Sequence, residues 1–187
     1  MKALRNLQFS HIRAYAGPDS AESYKSFIAL VGLPSHNIEN VTLSDIHFTV
    51  PGGGTRSQGA RRNLPELSGK RPEHRELGET LPAYGVYARH VKGLVLDNLR
   101  LDYVRPELRP AVICDDVEDL EICGLRAQGH PAGASLIRLQ NVRRAFIHGC
   151  RSLSKVKTFV AIEDRSRGIA LLGNDLRLAH KAVKRDK

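Results

Sequence analysis

VKGLVLDNLRL, Val91 to Leu101, is the stretch on which the reading of this chain turns. Its pattern is apolar-x-x-apolar-x-apolar-x-x-apolar-x-apolar, carried by Val91, Leu94, Leu96, Leu99 and Leu101. The same template lies over Leu4, Leu7, Phe9, Ile12 and Ala14, and over Ile38, Val41, Leu43, Ile46 and Phe48. It returns at Val117, Leu120, Ile122, Leu125 and Ala127, then at Val142, Ala145, Ile147, Cys150 and Ser152. A degenerate copy follows at Ser166, Ile169, Leu171, Asn174 and Leu176. The last four copies start at 91, 117, 142 and 166, so the period is 24 to 26 residues. Such a period marks stacked units that bury their apolar faces only against one another.

Between the third and fourth apolar positions one column holds His11, Asp45, Asn98, Gly124, Gly149 and Gly173. Gly and Asn, then Asp and His, are the residues most tolerant of positive φ, so this column predicts a left-handed bend in every copy. Alternation on both sides of it predicts short strands. A leucine-rich repeat would need Asn where this chain has Ile12, Ile46, Leu99, Leu125, Cys150 and Asn174, a mostly apolar column. The intervening RPAVICDD and ASLIRLQN read as a third strand, not a helix. The expectation is an all-β, right-handed, single-stranded parallel β-helix of about six rungs, roughly 29 Å tall at about 4.8 Å per rung.

The 187 residues make one domain by length, with 41% hydrophobic and only 5% aromatic residues. No apolar run is long enough to span a membrane, and MKALRNLQFSHIRAY has no signal-peptide core. Cys114, Cys123 and Cys150 fall in different columns and read as small buried apolar residues without a disulfide. The net charge is +9, of which residues 177–187, with five Lys or Arg and one Asp, supply +4. That balance has two readings, a solvated basic surface or an anionic ligand. The shortage of aromatics argues against nucleic acid. Eight scattered His show no metal-ligand spacing, and no cofactor motif appears.

The repeats are interrupted once, by a long insertion from Pro51 to Ala83 that opens with Gly52-Gly53-Gly54. Its spaced Leu64, Pro65, Leu67, Leu77, Leu81 and Pro82 predict a loop pinned to the solenoid wall. The terminal LRLAHKAVKRDK reads as a basic tail or cap, a weak helix resting Leu178 and Val183 on the last rung. The first copy begins within four residues of Met1 with no polar cap. An open rung exposes strand edges, so it predicts self-association or an upstream β-helical segment covering it.

IENVTLSDIHFTVPGGGT, the loop with LPEL, LPAYGVYARHVKGLVLDNLRLD and RPAVICDDVEDLEICGLRA together resemble glycoside hydrolase family 28, the polygalacturonase and rhamnogalacturonan-hydrolase group. The resemblance spans about residues 4 to 150 and marks the family's downstream rungs. It implies a right-handed β-helix that hydrolyses pectin-type polysaccharide with inversion, in the periplasm or outside the cell. The family's Asn-x-Asp and Gly-His-Gly motifs are absent, Gly129-His130-Pro131 being the nearest to the latter, and no Arg-x-Lys lies within the repeats. The expectation is therefore the C-terminal portion of such an enzyme, inactive alone. The alternative is a non-catalytic β-helical module that binds acidic polysaccharide or a partner chain. Asp115-Asp116 reads as a strand end and a bend, not a catalytic pair. Tyr84, Arg89 and His90, beside the insertion, and Arg61 and Arg62 within it are the candidate substrate-binding residues, since an Arg fork matches a uronate carboxylate and Tyr stacks on a sugar.

Overall fold

The structure is a computed structural model that describes residues 4–17, 28–66, 77 and 80–186. Among these the fold is all-β: thirteen strands joined in one sheet, plus one short helix. The strands are β1 (Arg5–Tyr15), β2 (Ile28–Val31), β3 (Ile38–Gly52), β4 (Val86–Asp97), β5 (Arg100–Arg105), β6 (Val112–Cys123) and β7 (Arg126–Ala127). They continue with β8 (Ile137–Gln140), β9 (Arg143–His148), β10 (Arg151–Ser152), β11 (Val156–Glu163), β12 (Arg167–Leu172) and β13 (Ala179–Arg185). The helix α1 (Arg56–Ala60) lies in the insertion, with Thr55 and Gln58 forming a capping box.

The named strands pair in parallel, each copy of the template stacking on the next in a solenoid-like column. Three walls result. The first joins β2, the start of β4, the start of β6, β8, β11 and β13. The second joins the first half of β1, the first half of β3, the end of β4, the end of β6, β9 and β12. The third joins the ends of β1 and β3 with β5, β7 and β10.

Alternate residues point inward and form apolar columns. Phe9, Leu43, Leu96, Ile122, Ile147 and Leu171 are successive partners, and so are Leu7, Val41, Leu94, Leu120, Ala145 and Ile169. From Val41 to Ile147 these side chains are buried; Leu7, Ile169 and Leu171 of the first and last copies are partly covered, and Phe9 is exposed. Each buried Leu or Ile adds about 1.5–3 kcal/mol of hydrophobic stabilisation.

All six residues of the predicted bend column, His11, Asp45, Asn98, Gly124, Gly149 and Gly173, have positive φ. A second such column, Asn6, Asn40, Gly93, Asp119, Arg144 and Gly168, was not foreseen. It lies two residues past the first apolar position, inside the second wall, where mixed polar types hid it. His90, Asp116, Asn141 and Asp164, each following a member of one register column, share a third left-handed bend.

The terminal helix expectation is overturned. Residues 179–185 form β13, pairing Val156 with Ala179 and Val160 with Val183. A helix this short is marginal in water, whereas the open edge of β11 offers a full ladder of backbone partners. The insertion is pinned as its leucines predict: Leu64, Leu77 and Leu81 are buried against Ala83, Tyr87 and Ile113 of the first wall. Leu67 lies outside the described residues.

Candidate functional site

The strand parity of the first wall decides what the insertion meets. Tyr87, Ile113, Arg138 and Ala161 form one outward column, and Arg89, Asp115, Gln140 and Glu163 the next. Both columns lie against the insertion, which supplies a charge at each end of the polar one. Arg62 meets Glu163 at 2.6 Å, and Glu66 pairs with Arg89 and, at 3.0 Å, with His90.

This contact absorbs most of the residues singled out from sequence. Arg89 donates through Nη1 to the carbonyls of Leu64, at 2.9 Å, and Pro65, and its Nε lies 3.4 Å from Asp115. His90 sits between Asp116, 2.7 Å from Nδ1, and Glu66. Arg61 donates to the carbonyls of Thr80 and Leu77, and Arg62 to those of Gly59 and Ala60. These side chains hold the insertion down. Tyr84 is 1% exposed, edge-on to Tyr103, with its hydroxyl donated to the Gln128 carbonyl. It offers no ring face to a sugar.

Arg138 escaped the sequence reading because IRLQ looks like an ordinary half-exposed strand. The insertion buries it completely, and it donates to the carbonyls of Gly59 and Arg61. Burial, with the neighbouring Arg62 charge, pushes its pKa down to about 10. Tyr87 Oη and Arg138 Nε, both buried, have no hydrogen-bond partner among the described residues.

Among the described residues the acidic groups do not assemble an inverting site, which needs opposed carboxyls with room for water between them. Asp115 has a raised pKa, chiefly through burial, but is 6% exposed and faces Arg89 under the insertion. Asp116 stands at a left-handed bend and holds His90. The adjacent pair Glu118-Asp119 is bound by Arg144 at 2.6 Å to each carboxylate, and those hydrogen bonds lower both pKa values, the opposite of a general acid's need. His130 accepts from the Ala132 amide and closes a turn. Arg185-Asp186-Lys187, the chain's one Arg-x-Lys spacing, falls at the end of β13, and Lys187 is outside the described residues. Among the described residues no group of three His, Cys, Asp or Glu side chains is arranged to hold a metal ion.

An open polar surface lies on the third wall. A cleft of about 700 Å³ is lined there by His11, Arg13, Asp45, His47, Asn98, Arg100 and Arg126. Arg13, Arg100 and Arg126 are exposed, and the His47 side chain is 39% exposed. Asp102 lies 2.8 Å from both His47 and Arg100, and Arg126 donates to Asn98 at 3.1 Å. Sequence reasoning missed this cleft because its residues come from four copies, separated by the insertion.

Comparison with known proteins finds no matching family model, no similar curated protein and no similar solved structure.

Proposed function

We propose that this chain is a right-handed parallel β-helix of about six rungs, equivalent to the C-terminal rungs of a glycoside hydrolase family 28-like enzyme. Its role in this reading is to bind acidic, pectin-type polysaccharide, not to cleave it. The observation that carries the proposal is the cleft on the third wall, open and lined by Arg13, His47, Arg100 and Arg126. A guanidinium fork receives a carboxylate in bidentate fashion, and several on one face hold a polyanion. The stacked parallel rungs and the wall-bound insertion support the family reading. The chemistry of hydrolysis belongs, on this proposal, to an upstream β-helical segment that carries the missing carboxyls.

The test is calorimetry of the full chain with polygalacturonate and with a neutral glucan, alongside a reducing-end assay. Binding to the polyuronide that weakens with salt, no binding to the glucan and no new reducing ends are expected. Equal binding to both polymers would remove the electrostatic basis, and release of reducing ends abolished by Asp116→Asn would restore the acidic pair as catalytic.

A further inference from the structure

The three walls treat charge differently. On the covered wall, Arg89, Asp115, Gln140 and Glu163 follow one another and are satisfied internally or by the insertion. On the second wall the partners in register are Arg5, Glu39, Lys92, Glu118, Arg143 and Arg167, alternating in sign except at the last step. Opposite charges on facing strands stabilise a sheet, and like charges destabilise it.

The third wall breaks this rule. Arg13 pairs with His47, His47 with Arg100, Arg100 with Arg126, and Arg126 with Arg151. Five successive rungs thus place an Arg or His at one register position. Asp102 lies between His47 and Arg100, but among the described residues Arg13, Arg126 and Arg151 make no ion pair. Arg13, Arg126 and Arg151 are all exposed. This column runs through the cleft and one rung beyond it.

Resting on the reading of the chain as an acidic-polysaccharide binder, we infer that the Arg13–Arg151 column holds a linear polycarboxylate along the solenoid axis, one carboxylate per rung. Four rung steps at about 4.8 Å span about 19 Å, so a chain with five regularly spaced carboxylates fills the column. A polyuronide, with one carboxylate on each sugar, suits a ladder of single cations at single-strand spacing. The neighbouring column, Tyr15, Thr49 and Asp102, presents groups that exchange hydrogen bonds with sugar hydroxyls. Tyr15 gives one aromatic ring where the base stacking of a nucleic acid needs a succession.

Oligogalacturonides of two to eight residues titrated into the full chain provide the test, with a single-stranded oligothymidine of equal charge as the competing polyanion. Affinity is expected to rise at least tenfold from the dimer to the pentamer, and to level off beyond it. Arg126→Gln, inside the span, weakens the pentamer at least fivefold. Arg151→Gln weakens the pentamer severalfold and leaves the dimer unchanged, because a dimer has other rungs to occupy. Both substitutions are expected to leave the unfolding midpoint nearly unchanged, since both side chains are exposed and relief of like-charge repulsion offsets the lost Arg126–Asn98 hydrogen bond and the attraction of Arg151 to Asp175. Polygalacturonate binding without a length step, or insensitive to both substitutions, would overturn the axial column and leave the broader reading standing. No binding to any uronide would overturn both. Tighter binding of the oligothymidine would overturn the ligand class.

Discussion

Replacing Glu107 with Gln removes one charge from an ion pair whose two side chains are fully buried. Glu107 accepts from the Gly54 amide at 3.0 Å, from the Arg109 amide and Nε at 2.9 Å each, and from Arg109 Nη2 at 2.8 Å. Arg109 in turn donates through Nη1 to the carbonyls of Leu81, at 3.0 Å, and Ala83. One carboxylate and one guanidinium therefore join the start of the insertion to its return. In Glu107→Gln an amide N–H must face one of these donors, and Arg109 loses the Glu107 charge beside it. Breaking a buried pair from one side costs about 3–5 kcal/mol, and Arg109→Met should cost a similar amount by stranding the carboxylate.

The double variant Glu107→Gln/Arg109→Met removes both charges, and the remaining amide oxygen still accepts from the backbone. It should be less destabilised than the sum of the single variants by about 3 kcal/mol, a coupling at the strong end for residues in contact. Gly54→Ala tests the same contact from the backbone side, because a Cβ there would lie 2.0 Å from Glu107 Oε1 and 2.2 Å from Arg109 Nε. Urea unfolding at constant pH measures all four, read as midpoints at unchanged slope. Single-variant losses of about 1 kcal/mol or less, the range of an exposed pair, or simple additivity would refute the reasoning.

Leu96→Ala, in the middle of the column linking Leu43 to Ile122, should cost about 2–5 kcal/mol in the same urea assay, the range for an incompletely refilled core site. Asn98, at φ 51°, should accept Gly with little loss beyond its exposed bonds to Asp45 and Arg126, whereas Val there should cost about 1–2 kcal/mol more from left-handed backbone strain. The Asp115 pKa is raised in the fold, so its ionisation opposes folding: the associated stability is present below the ordinary Asp range and lost as pH rises through the folded pKa. Asp115→Asn should therefore gain stability over the natural chain at pH 7 and lose that advantage as pH falls below the ordinary Asp range, measured as unfolding midpoints across pH.

The solenoid was legible in the sequence because one template recurs in every rung and strand parity turns it into inward columns. The apolar positions of Val91–Leu101 are buried in the structure, and the bend column between them is left-handed in all six copies. What failed was whatever depended on partners remote in sequence. LRLAHKAVKRDK has the composition of a weak helix, and only the free edge of β11 makes it a strand. Arg89 and His90 read from the sequence as candidate substrate contacts, but Glu66 of the same chain occupies them. Arg138, Glu107 and Arg109 are buried only because the insertion folds across the first wall, and no local pattern encodes that path.

The basic column of the third wall was hidden for a related reason. Its members stand at positions 13, 47, 100, 126 and 151, and the uneven steps left by the insertion break any visible period. Only the strand register aligns them. Two unit charges about 4.8 Å apart in water repel by roughly 1 kcal/mol before salt screening, and flexible Arg side chains spread to reduce that further. The buried columns can carry such a cost, since each inward Leu or Ile outweighs it. Stability alone would nonetheless favour the alternation seen on the second wall, where Glu118 lies between Lys92 and Arg143 in the same solenoid. A bound anion reverses the sign of the effect: it turns the repulsion within the column into attraction shared across the rungs. The departure from alternation thus falls along an open cleft, where an outside polyanion can reach it.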